Sequence, residues 1–139
     1  MAGDFTFDFH GFDQDLETVM REYPEETLKF LRKEAAQWKK DCNDAGYGKY
    51  TGGKRPIPKS WKNTKEENLW HVATAIEITN SSPLFHLLEN GHVKYFMGNG
   101  PLGFVSGKHW AEKTREQWKE SFPGDVEDYV NSMLGRHNL

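Results

Sequence analysis

The sequence predicts an α+β domain in which a long amino-terminal helix and carboxy-terminal helices pack on a small, mostly antiparallel β-sheet, with a long basic loop. Leu28, Leu31, Ala35, Trp38, Cys42 and Ala45 recur in alternating steps of three and four, one apolar stripe down a helix of about six turns. In LWHVATAIEIT the period changes to two: Val72, Thr74, Ile76 and Ile78 alternate with His71, Ala73, Ala75 and Glu77, as on a half-buried strand with His71 toward solvent. Between them GYGKYTGGKRPIPKSWKNTK, residues 46–65, holds four glycines and two prolines and follows neither period, so a long loop is expected.

The remaining elements follow in order. Residues 1–12 are expected to be a flexible terminus. Leu16, Val19, Met20 and Tyr23 fall at helical spacing, and Pro24 ends that short helix while suiting the first turn of the long one. Glu25 and Glu26 favour the positive end of the long helix, and Gly46 can cap its other end. Asn80, Ser81 and Ser82 can accept from free backbone N–H groups and Pro83 fits a first helical position, so SPLFHLLEN reads as a short helix stopped by Gly91. HVKYFM reads as a second strand, and GNGPLGFVSG leads to a third extended piece near Phe104 and Val105. Trp110, Thr114, Trp118 and Phe122 line a helix that Pro123 and Gly124 should break. Asp125 then caps a last helix, whose stripe is Val126, Tyr129, Val130, Met133 and Leu134.

A chain of 139 residues has room for a single domain, 1–139, with one modest core. The formal net charge of -3 gives no overall attraction to nucleic acid or to acidic membranes. Cys42 is the only cysteine, which excludes an internal disulfide and a thiolate-rich metal site, and its place on the apolar stripe predicts a buried, inert thiol. No apolar run approaches the roughly 20 residues that span a bilayer, and MAGDFTFDFH lacks a basic signal-peptide region, so a cytoplasmic protein is expected.

Charge is unevenly spread. Between Ala45 and Lys65 stand Lys49, Lys54, Arg55, Lys59, Lys62 and Lys65 and no acidic residue, interleaved with Tyr47, Tyr50 and Trp61. Since the total is -3, the rest of the chain sums to -9. Such an arm can grip phosphates and stack bases, or dock on the acidic face of another copy of the chain.

HLLENGH, His86 to His92, raises the question of a metal site. His86, Glu89 and His92 would converge only if the helix ran past Gly91, and the spacing matches neither zincin pattern. The expected packing instead buries Leu84, Phe85, Leu87 and Leu88 and sets His86 and Glu89 over the sheet edge. GNGPLGFV has the spacing of a kinase glycine-rich loop, but the partner motifs of a kinase are missing and Pro101 does not open a helix. No catalytic residue, metal ligand or cofactor is therefore expected.

The order of elements, with Leu84, His86, Leu87, Leu88, Glu89, Gly91 and His92, then Gly103, Val105, His109 and Ala111, resembles the tail-completion, or head-tail joining, family of long-tailed bacteriophages and prophages. The resemblance spans Asp13 to Leu134, and its specific part is the stretch from Leu84 to Ala111. Two family segments depart here: T-G-x-L-x-x-S reads TGGKRPIPKSW, with an insertion, and the proline and arginine expected before the last helix are missing from VSGKHW.

The resemblance implies a non-enzymatic virion subunit, built in the host cytoplasm, that forms a ring, usually hexameric, between tail tube and head connector and lets DNA pass. The self-assembly or partner interface would then comprise Lys49, Lys54, Arg55, Lys59, Trp61, Lys62, Glu89 and His92. Leu87, Leu88, Gly91, Gly103 and His109 would form a structural corner. Two alternatives stand beside it: a small metal-dependent hydrolase using His86, Glu89 and His92, and a nucleic-acid-binding module using the 49–65 arm.

Overall fold

A computed structural model describes residues 5–8, 14–69, 73–95 and 101–137. It confirms the α+β class. Helix α1 is Gln14–Glu22 and helix α2 is Pro24–Ala45, which starts at Pro24 as its sequence requires. Thr27, Leu31, Glu34, Ala35, Trp38 and Cys42 form the buried stripe of α2. Ala45, at the end of the expected stripe, is exposed. Helix α2 packs against α1, the carboxy-terminal helix and the first sheet.

That sheet has three antiparallel strands in the order β1 (Phe5–Asp8), β3 (Ala73–Asn80), β2 (Trp61–Leu69). Phe5 pairs with Ile78 and Trp61 with Asn80. Ile76 and Ile78 are fully buried, as the alternation required. His71 lies outside the described residues. Two expectations are corrected here. Residues 5–8 are a strand and not part of a flexible terminus, and the loop stops at Ser60, because WKNTKEENL forms β2 on the edge of the sheet. Backbone pairing with β3 supplies what that polar sequence lacks in apolar alternation, and a bulge between Asn63 and Lys65 absorbs one residue.

Helix α3 (Pro83–Asn90) ends at Gly91, whose φ of 87° favours glycine. Strands β4 (Gly91–Tyr95) and β5 (Pro101–Ser106) make a separate antiparallel pair. Helix α4 then runs unbroken from Trp110 to His137 with Pro123 inside it, against the expected break. Ala111, Thr114, Trp118, Val126, Val130 and Met133 are its buried residues, and half-buried Phe122 keeps the stripe in phase across the proline. Packing of that continuous face outweighs the hydrogen bond lost at Pro123.

Candidate functional site

Glu89 answers the question raised by HLLENGH. It is 2% exposed, and its carboxylate holds three donors. Oε1 accepts the Tyr47 hydroxyl and the Ala111 N–H at 2.9 Å, and Oε2 accepts the Glu112 N–H at 3.0 Å. The His109 carbonyl accepts the first helical bond, from Lys113, so Ala111 and Glu112 are the second and third residues of α4. A capping side chain normally satisfies those amides from the residue just before a helix. Here a carboxylate from α3 does so, with its negative charge at the positive end of α4.

The joint is reciprocal. The carbonyls of Leu88 and Glu89 accept the N–H groups of Lys108 at 2.7 Å and His109 at 3.1 Å. Gly107 makes this approach possible, since a Cβ there would stand 2.3 Å from the Glu89 carbonyl oxygen. His109 takes φ 55°, an uncommon left-handed backbone for a non-glycine residue, and places its Nδ1 3.1 Å from Glu112 Oε2.

Around Glu89 lies an aromatic cluster. The buried Tyr47 ring meets Trp61, Phe85 and Trp110 at centroid distances of 6.3, 5.1 and 5.0 Å. Burial pushes the Tyr47 phenol well above its ordinary value, and the hydrogen bond and charge of Glu89 push the same way. Burial likewise raises the Cys42 thiol far above its usual range, as the inert role expected of it requires. The Trp61 indole N–H donates to Asn43 Oδ1 at 2.9 Å, and the ring packs edge-on to Trp38. These rings pack on the core, which leaves Tyr47 no exposed face for stacking bases and Trp61 only part of one.

The expected packing of HLLENGH is therefore corrected. Phe85 and Glu89 are buried, Leu88 is half-buried, and Leu84 and Leu87 stand 51% and 43% exposed. A helix anchored by Glu89 and Phe85, four apart, turns Leu84 and Leu87 outward. Among the described residues Glu89 meets His109 and Glu112 in the one cluster with metal-ligand spacing, their ligand atoms within 4.8 Å of one another. His86 is not in it; His92 pairs with Val105 and Gly103 with Lys94 between β4 and β5, and the His92 side chain is not among those described. The amides of α4 already occupy Glu89, and the positive end of that helix opposes a cation.

The basic loop is ordered by its ends. The Asn80 amide donates to the Ile57 carbonyl at 3.0 Å and accepts the Ser82 N–H at 2.9 Å, while Ser81 N–H reaches the Ser60 carbonyl at 3.0 Å. Short 3-10 turns occupy Tyr47–Lys49 and Ile57–Lys59. Lys49, Lys54, Arg55, Lys59 and Lys62 are all exposed, and Lys49 Nζ sits 5.5 Å from the Trp110 ring centroid. Gly52, Gly53, Lys54 and Arg55 face Ser82, Pro83 and Leu84 across a cleft of about 280 Å³. The structure thus brings Lys54 and Arg55 beside α3, removes Glu89 from the expected contact surface into the interior, and leaves Trp61 half-buried against the core.

A second acidic feature joins α2 and α4. Glu34 of α2, 9% exposed, faces Asp125 of α4 in a groove of about 370 Å³ that also holds Lys33 and Asp128. Burial raises its carboxyl to about 8, helped by the hydrogen bond to Asp125 and by the Asp125 charge, and opposed by Lys33. Its signal was available: Glu34 stands three residues after Leu31 and four before Trp38, inside the apolar stripe.

Comparison with family models, with curated proteins and with solved structures gives no match.

Proposed function

We propose that this chain is a structural, non-enzymatic subunit of the head-tail junction of a long-tailed phage or prophage. It assembles in the host cytoplasm as a ring, hexameric as the family resemblance implies, between tail tube and head connector, and DNA passes through without specific binding. The observation that carries the proposal is the surface formed by exposed Leu84 and Leu87 beside Lys54 and Arg55, on a loop fixed at both ends. Exposed apolar residues rimmed by charge mark contact surfaces for other proteins. The acidic remainder of the chain supports a lumen that repels the duplex.

The two alternatives find less support. A nucleic-acid module working through the loop would have Tyr47 buried and Tyr50 and Trp61 half-buried against the core, and a hydrolase must recruit a glutamate that caps a helix. Electron microscopy of the purified protein, alone and mixed with isolated tail tubes, tests the proposal. Rings with an open axis that seat on tube ends are expected; particles that neither close nor bind tubes overturn it.

A further inference from the structure

The contact surface on α3 has a chemical complement elsewhere on the same chain. Leu84 and Leu87 are one turn apart, and Leu84 forms a wall of the cleft that Lys54 and Arg55 border. Among the described residues neither Lys54 nor Arg55 meets a carboxylate. The surface is thus apolar at its centre and positive on one side.

On α4 the stretch Glu120–Asp128, ESFPGDVED, has four acidic residues and no basic one. Glu120, Glu127 and Asp128 are exposed and meet no basic partner among the described residues. Between them lie exposed Pro123 and half-buried Phe122, which give this stretch apolar surface of its own. The start of α4 packs against the loop through Trp110 and Tyr47. At 1.5 Å per residue the acidic stretch begins roughly 15 Å further along the axis and ends roughly 27 Å along it. The two surfaces therefore stand apart on one chain and are free to meet only between chains.

We propose that the Leu84–Leu87 ridge and the Lys54–Arg55 cleft receive the Glu120–Asp128 stretch of a second copy of this chain. The proposal rests on the assembly function above and names its contact. Opposite charges steer the approach and set the register, and the leucines bury against Phe122 and Pro123. Because the two surfaces differ, the contact is head-to-tail: a pair leaves a free cleft on one copy and a free acidic stretch on the other, which allows further copies to add and a ring to close.

Sedimentation velocity on charge-exchanged variants tests this. One variant carries Lys54→Glu and Arg55→Glu, the other Glu127→Lys and Asp128→Lys; all four residues are exposed, and circular dichroism checks that both fold. The wild-type chain should associate, and more weakly at high salt. Each variant alone should associate at least about tenfold more weakly, because like charges then meet across the contact. An equimolar mixture should regain assembly, since each variant supplies the complement of the other. Leu84→Ser with Leu87→Ser should weaken assembly without restoration by either charge variant.

Variants that assemble like the wild type, or a mixture that stays dissociated, overturn the contact. In the first case the assembly function still stands with its interface elsewhere. A wild-type chain that remains monomeric at all concentrations also overturns the contact, and binding to tail tubes then decides the function separately.

Discussion

Glu89 Oε1 accepts the Ala111 amide at 2.9 Å from 22 residues away, so the carboxy-terminal helix is capped by the helix before it in the chain. The two helices and the intervening strand pair form a closed unit, with Tyr47 of the loop as the third member. This connection fixes the loop and α3 relative to each other, and with them the surface on which Leu84 and Lys54 sit.

Removing the cap should be costly. Glu89→Ala leaves two helix amides and the Tyr47 hydroxyl without a partner, a loss on the order of 3 kcal/mol or more. Glu89→Gln keeps the shape but sets an amide N–H against one of those donors, and should cost about 1–2 kcal/mol. Urea denaturation followed by tryptophan fluorescence measures both. Wild-type midpoints would show that the cap is dispensable. Charge reversal at Glu89 should prevent folding, and so cannot report on assembly as its expected surface position would have allowed.

The Glu34–Asp125 pair should make stability fall as pH rises. Glu34 keeps its proton in the folded chain up to about 8, against an ordinary value of 4.5. The folded state therefore binds more protons than the unfolded one between those limits, and its stability declines across that window. Glu34→Gln removes the titration, so the variant should match the wild type near pH 4.5 and exceed it by about 1–2 kcal/mol above pH 8. Parallel stability profiles for the two proteins from pH 5 to 9 would contradict this.

Glycine positions should separate by the space around them. Gly107→Ala drives a Cβ into the Glu89 backbone and should cost on the order of 2–3 kcal/mol. Gly124→Ala, inside α4 with nothing within 4 Å, should instead raise stability by about 0.5–1 kcal/mol. Thermal denaturation of the pair reads both signs in one experiment. A stabilising Gly107→Ala would mean that α3 and the turn between β5 and α4 do not approach as closely as the Glu89 joint requires.

The elements legible in the sequence are those with an uninterrupted pattern: the α2 stripe, the alternation ending in Ile76 and Ile78, and α3 between Pro83 and Gly91. Strand β2 was hidden because an edge strand can be held by backbone bonds to one neighbour while its side chains stay polar. Strand β1 is only four residues, FTFD, too short a stretch for its alternation to distinguish it from a loose terminus. The unbroken α4 could not be read from Pro123 alone, since tertiary packing of the stripe from Ala111 to Met133 decided it. For Glu89 the sequence points to its chemistry but not to its buried surroundings. A cap supplied from a distant element leaves no local spacing to find, unlike the short-range pattern that marks an ordinary helix start.

The most direct test of a self-assembling, metal-free subunit is a native mass spectrum of the full chain, recorded after chelation and again after zinc is restored. A ring of identical bare chains is expected in both spectra, unchanged by His109→Gly, which removes the imidazole beside Glu89 and relieves the left-handed backbone at 109. Monomers each holding one zinc ion that His109→Gly releases would overturn the metal-free subunit, whereas bare monomers would leave binding to tail tubes to decide.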